Sequence, residues 1–403
     1  MVGIFCFYVE KYVIININEN YIKIIIVKIN DSLLGDKIML ILQGFYWNCL
    51  DDWWDEISSI AEEISIKGFD TVWLPPPSKG MNGKNSMGYD IKEHYNLNSK
   101  FGNKRKLKKL IKKLHKNKVE VMADLVLGHM LGGNKEWNPH FETKTYTKFE
   151  EEEFPKNHMH FCHECGGCSS RNSFGETICY YSDQEYMKKE LINWANWLKN
   201  DIGFDSFRLD NLKDMRWDFA KEFADEFRDS TFMVGEYWNG DDRMLQEFID
   251  HSQINLFNFP LYYSIKEMCM NPFFPICSLE GVSKKNKVNF LSNHDIEREE
   301  RDFNKDAIIT NKELGYAYIL FQDNPAVVYW NDYFKYDLKE KLDELINLRK
   351  NSFHHQLEIV TLNDDIYHAK RGRYNLIINN GYDDYYYSAL KVAGRDYEIF
   401  IED

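Results

Sequence analysis

From residue 39 onward, short segments rich in β-branched residues alternate with segments of helical periodicity. This alternation constrains the fold more than any other feature, because parallel strands joined by crossover helices are built in this order. Eight strand segments occur, and their number predicts an α/β fold, a TIM (β/α)8 barrel. The segments begin at Met39, Phe69, Val119, Gly203, Thr231, Ile254, Val288 and Ala326.

Apolar residues recur every three to four positions between the strand segments, as helices packed on a barrel require. The first such run, from Trp53 to Ile64, predicts one helix that ends at Gly68. A second helix is predicted from Lys104 to Lys118, with its many lysines on a solvated outer face.

One interval between barrel strands is too long for a single β/α unit. Asp124 and Asp210, which end the third and fourth strands, are 86 residues apart, whereas Asp210 and Glu236 are 26 apart. A unit takes roughly 30 residues. The spacing therefore predicts an inserted domain at residues 131–181, after strand three on the active-site face, and a barrel formed by residues 39–130 and 182–350.

The two ends of the chain lie outside the β/α pattern. Residues 351–403 are tyrosine-rich and strand-like, which predicts a small C-terminal antiparallel β domain with strands in LEIVTL, YNLIINN, YYYSALKV and YEIFIED. Residues 1–38 are β-prone and belong to no β/α unit. They are either an accessory β segment or the product of a start codon assigned too early, since Met39 opens the barrel directly.

Charge and hydropathy narrow the range of partners. The chain has 64 acidic and 50 basic residues, a formal charge of −14 that disfavours nucleic acid and anionic membranes. The most apolar region, 13–27, contains Glu19 and Lys23, so no membrane span is predicted. The N-terminus lacks the basic start and small-residue cleavage site of a signal peptide, which predicts a cytoplasmic protein. No pattern predicts the oligomeric state.

The fourth strand carries an arginine and an aspartate at alternate positions. Arg208 and Asp210 share one face of that strand and are expected at the barrel mouth. A neighbouring arginine lowers the pKa of an aspartate and holds it ionised, as a nucleophile requires. A structural ion pair is the alternative interpretation.

Further ionisable residues follow other strands at the equivalent position. Glu236 follows the fifth strand, and His294 and Asp295 follow the seventh. Crowded carboxylates raise at least one pKa, which suits a proton donor beside an ionised partner. Two carboxyl groups acting as nucleophile and acid/base are the equipment of a retaining glycosidase.

Seven motifs at these strand ends occur in the order typical of one family. Over roughly residues 39–350 the chain resembles the α-amylase family, glycoside hydrolase family 13, most closely its plant and archaeal members. The motifs are QGFYW at Gln43, VWLPPPSKG at Val72, MGYD at Met87, DLVLGH at Asp124, GFDSFRLDNLK at Gly203, VGEYW at Val234 and FLSNHD at Phe290.

The resemblance implies a role for each matching position. Asp210 is the expected nucleophile, Glu236 the general acid/base, and Asp295 the third carboxylate, which helps to distort and hold the sugar. Asp124 is expected to support the site from strand three. The expected substrate-binding residues are Tyr89, His129, Arg208, Lys213, Trp238 and His294.

Two departures from the family pattern concern its structural calcium ion. The family usually has an asparagine before the histidine of the third-strand motif, whereas this chain has Gly128, which offers no side-chain oxygen. The family's histidine after the strand-four lysine is Asp214 here. Both changes argue against calcium, although Asp214 itself offers carboxylate oxygens.

The inserted segment contains a cluster of cysteine and histidine residues that suits another ion. Its C-x2-C-x2-C spacing with interleaved histidines predicts a structural Zn²⁺ site, and some archaeal family members are similar in carrying zinc there. Buried thiols without metal are the alternative. The candidate ligands are Cys162, His163, Cys165, Cys168 and Cys179.

The expected activity is hydrolysis of internal α-1,4-glucosidic bonds of starch, glycogen or maltodextrins, with retention through a covalent glycosyl-enzyme on Asp210. A 4-α-glucanotransferase or a maltogenic exo-acting enzyme would use the same carboxylates. A catalytically inactive α-glucan-binding protein and a metal-regulated interaction module are the alternatives from other classes.

Overall fold

The computed structural model describes residues 39–162, 175–298 and 306–402, and gives residues 6–9, 12–15, 25–28 and 171–172 as backbone alone. The chain divides into two units, Met1–Ile38 and Met39–Asp403. The first contains a three-stranded antiparallel sheet. Its strands are Cys6–Val9, Tyr12–Ile15 and Ile25–Lys28. Both interpretations of residues 1–38 stay open.

Eight parallel strands of the second unit form one sheet in the order β7-β6-β5-β4-β3-β2-β1-β8. Asn289, just after β7, pairs in parallel with Ala326 of β8 and closes the ring. The predicted TIM barrel is therefore confirmed. The strands are β1 Leu40–Gln43, β2 Thr71–Leu74, β3 Glu120–Leu125, β4 Ser206–Leu209, β5 Met233–Gly235, β6 Asn255–Phe257, β7 Lys287–Val288 and β8 Ala326–Tyr329.

The helix predicted from Lys104 to Lys118 is present as Lys104–Lys116, whereas the helix predicted after β1 differs. The single helix predicted after β1 is broken at Ile60 into two short helices, and the second ends at Gly68, whose φ of 99° favours glycine. The helices are α1 Trp53–Ser59, α2 Ala61–Lys67, α3 Lys104–Lys116, α4 Tyr186–Trp197, α5 Trp217–Phe227, α6 Asp242–Ser252, α7 Phe259–Met270, α8 Lys312–Phe321, α9 Trp330–Phe334 and α10 Lys339–Ser352.

Shorter elements connect the barrel units. The 3₁₀ turns are Gly83–Asn85, His158–His160, Asp183–Glu185, Leu212–Asp214 and Ile276–Gly281, and a π turn, Leu198–Ile202, follows α4. Strands Lys79–Gly80 and Ile91–Glu93 form a hairpin after β2. Among the described residues, none of the helices is long and apolar enough to cross a membrane.

The segment between β3 and α4 contains small antiparallel sheets. Its strands are His129–Met130, Asn134–Asn138, Thr143–Lys148, Arg171–Asn172 and Gly175–Thr177. A buried ion pair ties it to the loop after β2: Lys156 Nζ donates to Glu151 Oε2 at 3.0 Å, and Glu151 accepts from the backbone N–H groups of His94 and Tyr95.

The predicted C-terminal antiparallel sheet is present. It consists of β9 Leu357–Leu362, β10 Ile366–Arg371, β11 Tyr374–Asn379 and β14 Asp396–Ile401, with a hairpin of β12 Tyr385–Tyr387 and β13 Leu390–Val392. Strand β10 is not among the predicted segments. Its sequence, IYHAKR, contains three basic residues, yet most of its side chains are buried.

Candidate active site

A cavity of about 540 Å³ opens at the carboxyl ends of the barrel strands. This is the end of a TIM barrel at which active sites lie. The lining residues follow β1, β2, β3, β4, β5 and β7. They are Trp47, Asn48, Asn82, Asn85, Ser86, Met87, Tyr89, Asp90, His129, Asp210, Asn211, Glu236, Trp238, Asp295 and Arg298.

The guanidinium of Arg208 contacts three carboxyl groups beneath this cavity. Nη1 donates to Asp124 Oδ1 at 2.8 Å and to Asp210 Oδ1 at 2.7 Å, and Nη2 lies 2.9 Å from Glu236 Oε2. Arg208 is 1% exposed, while Asp210 and Glu236 are 8% and 6% exposed. One buried cation therefore serves three buried carboxyl groups.

This charge imbalance sets the protonation of the two catalytic candidates. Burial raises the pKa of Glu236 to about 7, and Asp210 and Asp295 add to the effect of burial while Arg208 opposes it. Burial likewise raises the pKa of Asp210 to about 7 against the opposing effect of Arg208. Arg208 acts to lower the pKa of Asp210, as the sequence predicts, but loss of solvation outweighs the attraction of this shared arginine and the net shift is upward.

Asp124 lies under the cavity and fixes the position of Arg208. Besides its bond to Arg208, it accepts hydrogen bonds from Trp73 Nε1 at 3.0 Å and Tyr89 OH at 2.7 Å, both on Oδ2. Asp124 is 1% exposed. Its three donors make it a support for the groups that face the cavity.

Three aromatic rings are stacked at one wall of the cavity. The Tyr89 and His294 rings are 4.9 Å apart with an interplanar angle of 9°, and Trp47 continues the stack 6.1 Å from Tyr89. His294 is fully buried beside Tyr89, and its Nδ1 lies 3.0 Å from Gln43 Nε2. Tyr89, not His294, therefore presents the larger surface to the cavity.

The remaining predicted binding residues have different environments. His129 Nε2 lies 2.8 Å from the Tyr89 carbonyl oxygen, and burial lowers the His129 pKa, so the ring is neutral near pH 7 and donates this bond. Trp238 lines the cavity and donates through Nε1 to Tyr263 OH at 2.9 Å. Lys213 is exposed in the turn after β4 and is not among the described lining residues.

Comparisons with known proteins indicate which family has a site of this kind. Residues 60–165 match the family model described as the alpha amylase catalytic domain. The chain is 26% identical over 358 residues to probable alpha-amylase 2 of Arabidopsis thaliana, a match that covers 81% of this chain and 84% of that protein. These matches support the α-amylase family of glycoside hydrolases.

Solved structures show that this enzyme shares its fold with proteins of more than one named activity. An Anoxybacillus α-amylase matches with a TM-score of 0.69 and 19% identity, over 90% of this chain and 95% of that chain. A cyclomaltodextrin glucanotransferase with a three-domain ABC distribution matches with a TM-score of 0.70 and 16% identity, over 91% and 100% of the two chains. Both likenesses concern the fold alone.

Several residues of the enzyme's site are not among the sequence-based predictions. Trp47 and Arg298 line the cavity, and the Arg298 guanidinium lies 3.5 Å from the centre of the Trp47 ring. Asn293 Oδ1 accepts from the backbone N–H groups of Asp295 and Ile296 and shapes the turn after β7. Trp47 and Asn293 lie within two of the strand-end motifs, QGFYW and FLSNHD, and this position in the sequence could have identified them as site residues.

The zinc prediction falls largely outside the described residues, where His163, Cys165 and Cys168 lie. Cys162 and Cys179 are buried, and the sulfur of Cys162 is disulfide-bonded. The zinc site stays a prediction, and the zinc-to-protein ratio of the purified, reduced enzyme measured by elemental analysis would test it.

Proposed function

We propose that this enzyme hydrolyses internal α-1,4-glucosidic bonds of starch, glycogen or maltodextrins with retention of anomeric configuration. The observation that supports this proposal most directly is that Asp210 and Glu236 both contact the guanidinium of Arg208. In retaining glycosidases the two carboxyl groups are about 5 to 5.5 Å apart, whereas inverting enzymes separate them further to admit water. Attachment to one planar cation supports the shorter separation.

The environment of Glu236 supports its role as the proton donor. Oε2 lies near Arg208 and accepts from the Asn211 N–H at 3.2 Å, whereas Oε1 is buried with no hydrogen-bond partner in the described part of the chain. A proton on Oε1 leaves Oε2 to face Arg208, and the glycosidic oxygen of a bound substrate would supply the acceptor that the Oε1 hydroxyl lacks. The group lines the cavity and can pass this proton to a glycosidic oxygen.

Asp210 supplies the nucleophile in the proposed reaction. Its carboxylate attacks the anomeric carbon as the glycosidic bond breaks and Glu236 protonates the leaving oxygen, which gives a covalent glycosyl-enzyme. Glu236, now ionised, takes a proton from water, and that water releases the sugar from Asp210. Arg208 contacts both groups throughout and balances the negative charge that moves between them.

The aromatic wall and the third carboxylate supply the contacts to the sugar. Tyr89 offers a ring face to a glucose unit, held rigid by its stack with His294 and its bond to Asp124. The Asp295 side chain is 20% exposed at the cavity, where it can accept hydrogen bonds from sugar hydroxyls.

The experiment compares the parent with Asp210→Asn and Glu236→Gln on soluble starch and on a maltoheptaoside blocked at its non-reducing end. Asp225→Asn, an exposed change on α5, is the matched control. We expect products first released in the α configuration from parent and control, and at least a thousandfold loss of rate in the two site variants, on the order of the effect of removing other catalytic groups.

Each alternative gives a different result. Cleavage confined to the unblocked substrate would indicate an exo-acting enzyme, and products longer than the substrate a glucanotransferase. Glucan binding without turnover by the parent would identify a binding protein and overturn the proposal.

A further inference from the structure

The residues around Gly128 do not fit the calcium ion of the family. Ca²⁺ takes six to eight oxygen ligands. Gly128 contributes no side-chain oxygen, and Asp214 is exposed, with its Oδ2 accepting from Asn211 Nδ2 at 2.9 Å. Within the described ranges, no three histidine, cysteine, aspartate or glutamate side chains gather to hold a metal.

A tyrosine occupies the space beside Gly128. A Cβ atom built on Gly128 would meet the Tyr180 hydroxyl at 3.8 Å, and no other described atom beyond its chain neighbours lies within 4 Å. Tyr180 OH donates to the Leu127 carbonyl oxygen at 3.1 Å. The Tyr180 ring is 4% exposed and stacks on Phe219 of α5, with ring centres 4.4 Å apart.

This tyrosine joins the end of the insertion to the segment that follows β3. Beside its bond to Leu127, the Ile178 N–H donates to the Gly128 carbonyl oxygen at 3.0 Å, and Thr177 pairs with His129. Leu127 and Gly128 directly precede His129, which lines the cavity. The contacts of Tyr180 therefore help to fix the position of His129.

We propose that Tyr180 takes the structural role of the family's calcium ion by linking the inserted segment to the loop that follows β3. In this role it is a positioning residue for His129. This link consists of the hydrogen bond from the Tyr180 hydroxyl to the Leu127 carbonyl and the stacking of its ring on Phe219, and it requires no ion. The role of His129 in this proposal rests on the proposed function, whereas the replacement of calcium does not.

The first test measures thermal unfolding of the full chain after exhaustive chelation, followed by calcium alone or zinc alone. We expect millimolar calcium to leave the midpoint within about 1 °C of the chelated value. A midpoint raised by calcium would overturn the proposal. A midpoint raised by zinc alone would indicate that the predicted cysteine and histidine site binds zinc. It would not contradict the result expected with calcium.

The second test compares Tyr180→Phe with Tyr186→Phe, whose hydroxyl donates to the Pro155 carbonyl oxygen at 3.0 Å in a more exposed position. Tyr180→Phe leaves the Leu127 carbonyl without its donor, and we expect its midpoint to fall about 2 °C below that of Tyr186→Phe. We also expect KM on starch to rise about threefold or more with kcat within about twofold. Equal midpoints for the two variants would overturn the proposal even if the parent proved inactive.

Discussion

Arg208 Nη2 lies 2.9 Å from Glu236 Oε2, so the candidate general acid shares its cation with Asp210 and Asp124. Had each carboxyl group its own cation, all three would be ionised near neutral pH. With one guanidinium for three buried groups, the cluster retains a proton into the neutral range, and its titration belongs to the coupled groups together.

The first prediction concerns the pH dependence of the rate. Because the pKa of Glu236 is raised to about 7, we expect kcat/KM to fall as pH rises above 7 and the acid loses its proton. On the acid side, a second proton enters the cluster, neutralises Asp210 and lowers the rate. Initial rates on an aryl maltoside from pH 4 to 10 measure both limbs. Full activity maintained at pH 9 would contradict the assignment of Glu236 as general acid.

The second prediction concerns stability. A carboxyl group whose pKa is raised on folding contributes stability that is complete below its unfolded value, near 4, and is lost as pH rises through its folded value, about 7. Asp210 and Glu236 therefore destabilise the enzyme above pH 7. We expect Glu236→Gln to raise the midpoint of thermal unfolding at pH 8 by a few degrees, and by less at pH 4.5.

The control for this measurement is Glu226→Gln, an exposed change on α5. We expect it to alter the midpoint by less than about 1 °C at either pH, because exposed carboxylates remain solvated in the folded state. A gain for Glu236→Gln that is the same at pH 4.5 and pH 8 would show that the effect does not come from ionisation.

The barrel could be predicted from the sequence because its strands are short apolar runs, and such runs mark parallel strands buried on both faces. The positions of Asp210 and Glu236 followed from the same pattern, since each directly follows a strand, whereas Asp295 lies seven residues after the end of β7. The break at Ile60 and strand β10 could not be predicted in this way. At Ile60 the apolar periodicity continues through the break, and β10 is buried by the chain around it despite its basic residues.

The electrostatics of the site were the least predictable part. Sequence places Arg208 two residues from Asp210, which indicates attraction, but it does not show how much solvent the pair loses on folding. The bond from Trp73 Nε1 to Asp124 joins two strands across 51 residues of sequence. Such contacts depend on the completed barrel and carry no local signal.

The third prediction concerns the hydroxyl of Tyr89. Tyr89→Phe keeps the ring stacked on His294 but removes the 2.7 Å hydrogen bond to Asp124. A hydrogen bond to a charged group contributes about 1.5 to 3 kcal/mol, so we expect kcat/KM on maltoheptaose to fall about tenfold or more. Tyr89→Ala, which also removes the ring, is expected to lose more. Equal losses for the two variants would show that the hydroxyl accounts for the whole effect, whereas full activity in Tyr89→Phe would show that the ring alone matters and would contradict the prediction.

A buried cation also holds the loop that carries Asp295. Lys312 Nζ donates to Glu297 Oε1 at 2.6 Å and to Asp332 Oδ1 at 2.7 Å, and Asp332 is fully buried. Ser292 Oγ donates to the same Glu297 oxygen at 2.5 Å. Ser292 and Glu297 flank His294 and Asp295 in sequence, so Lys312 fixes both sides of the turn that carries these two residues.

The fourth prediction is that Lys312→Met destabilises the enzyme by about 3 to 5 kcal/mol, because it leaves two buried carboxylates without their cation. Lys341→Met is the matched control: Lys341 pairs with Glu313 at 3.1 Å and its side chain is 47% exposed, so its loss should cost less than about 1 kcal/mol. Urea unfolding of the two variants at pH 7 measures the difference.

Because the turn after β7 loses its anchor, we also expect kcat to fall in Lys312→Met under conditions where the variant is folded. Similar unfolding free energies for the two variants would mean that water or a protonated carboxyl group compensates for the missing ammonium, and Glu297 would then not depend on Lys312 for its position.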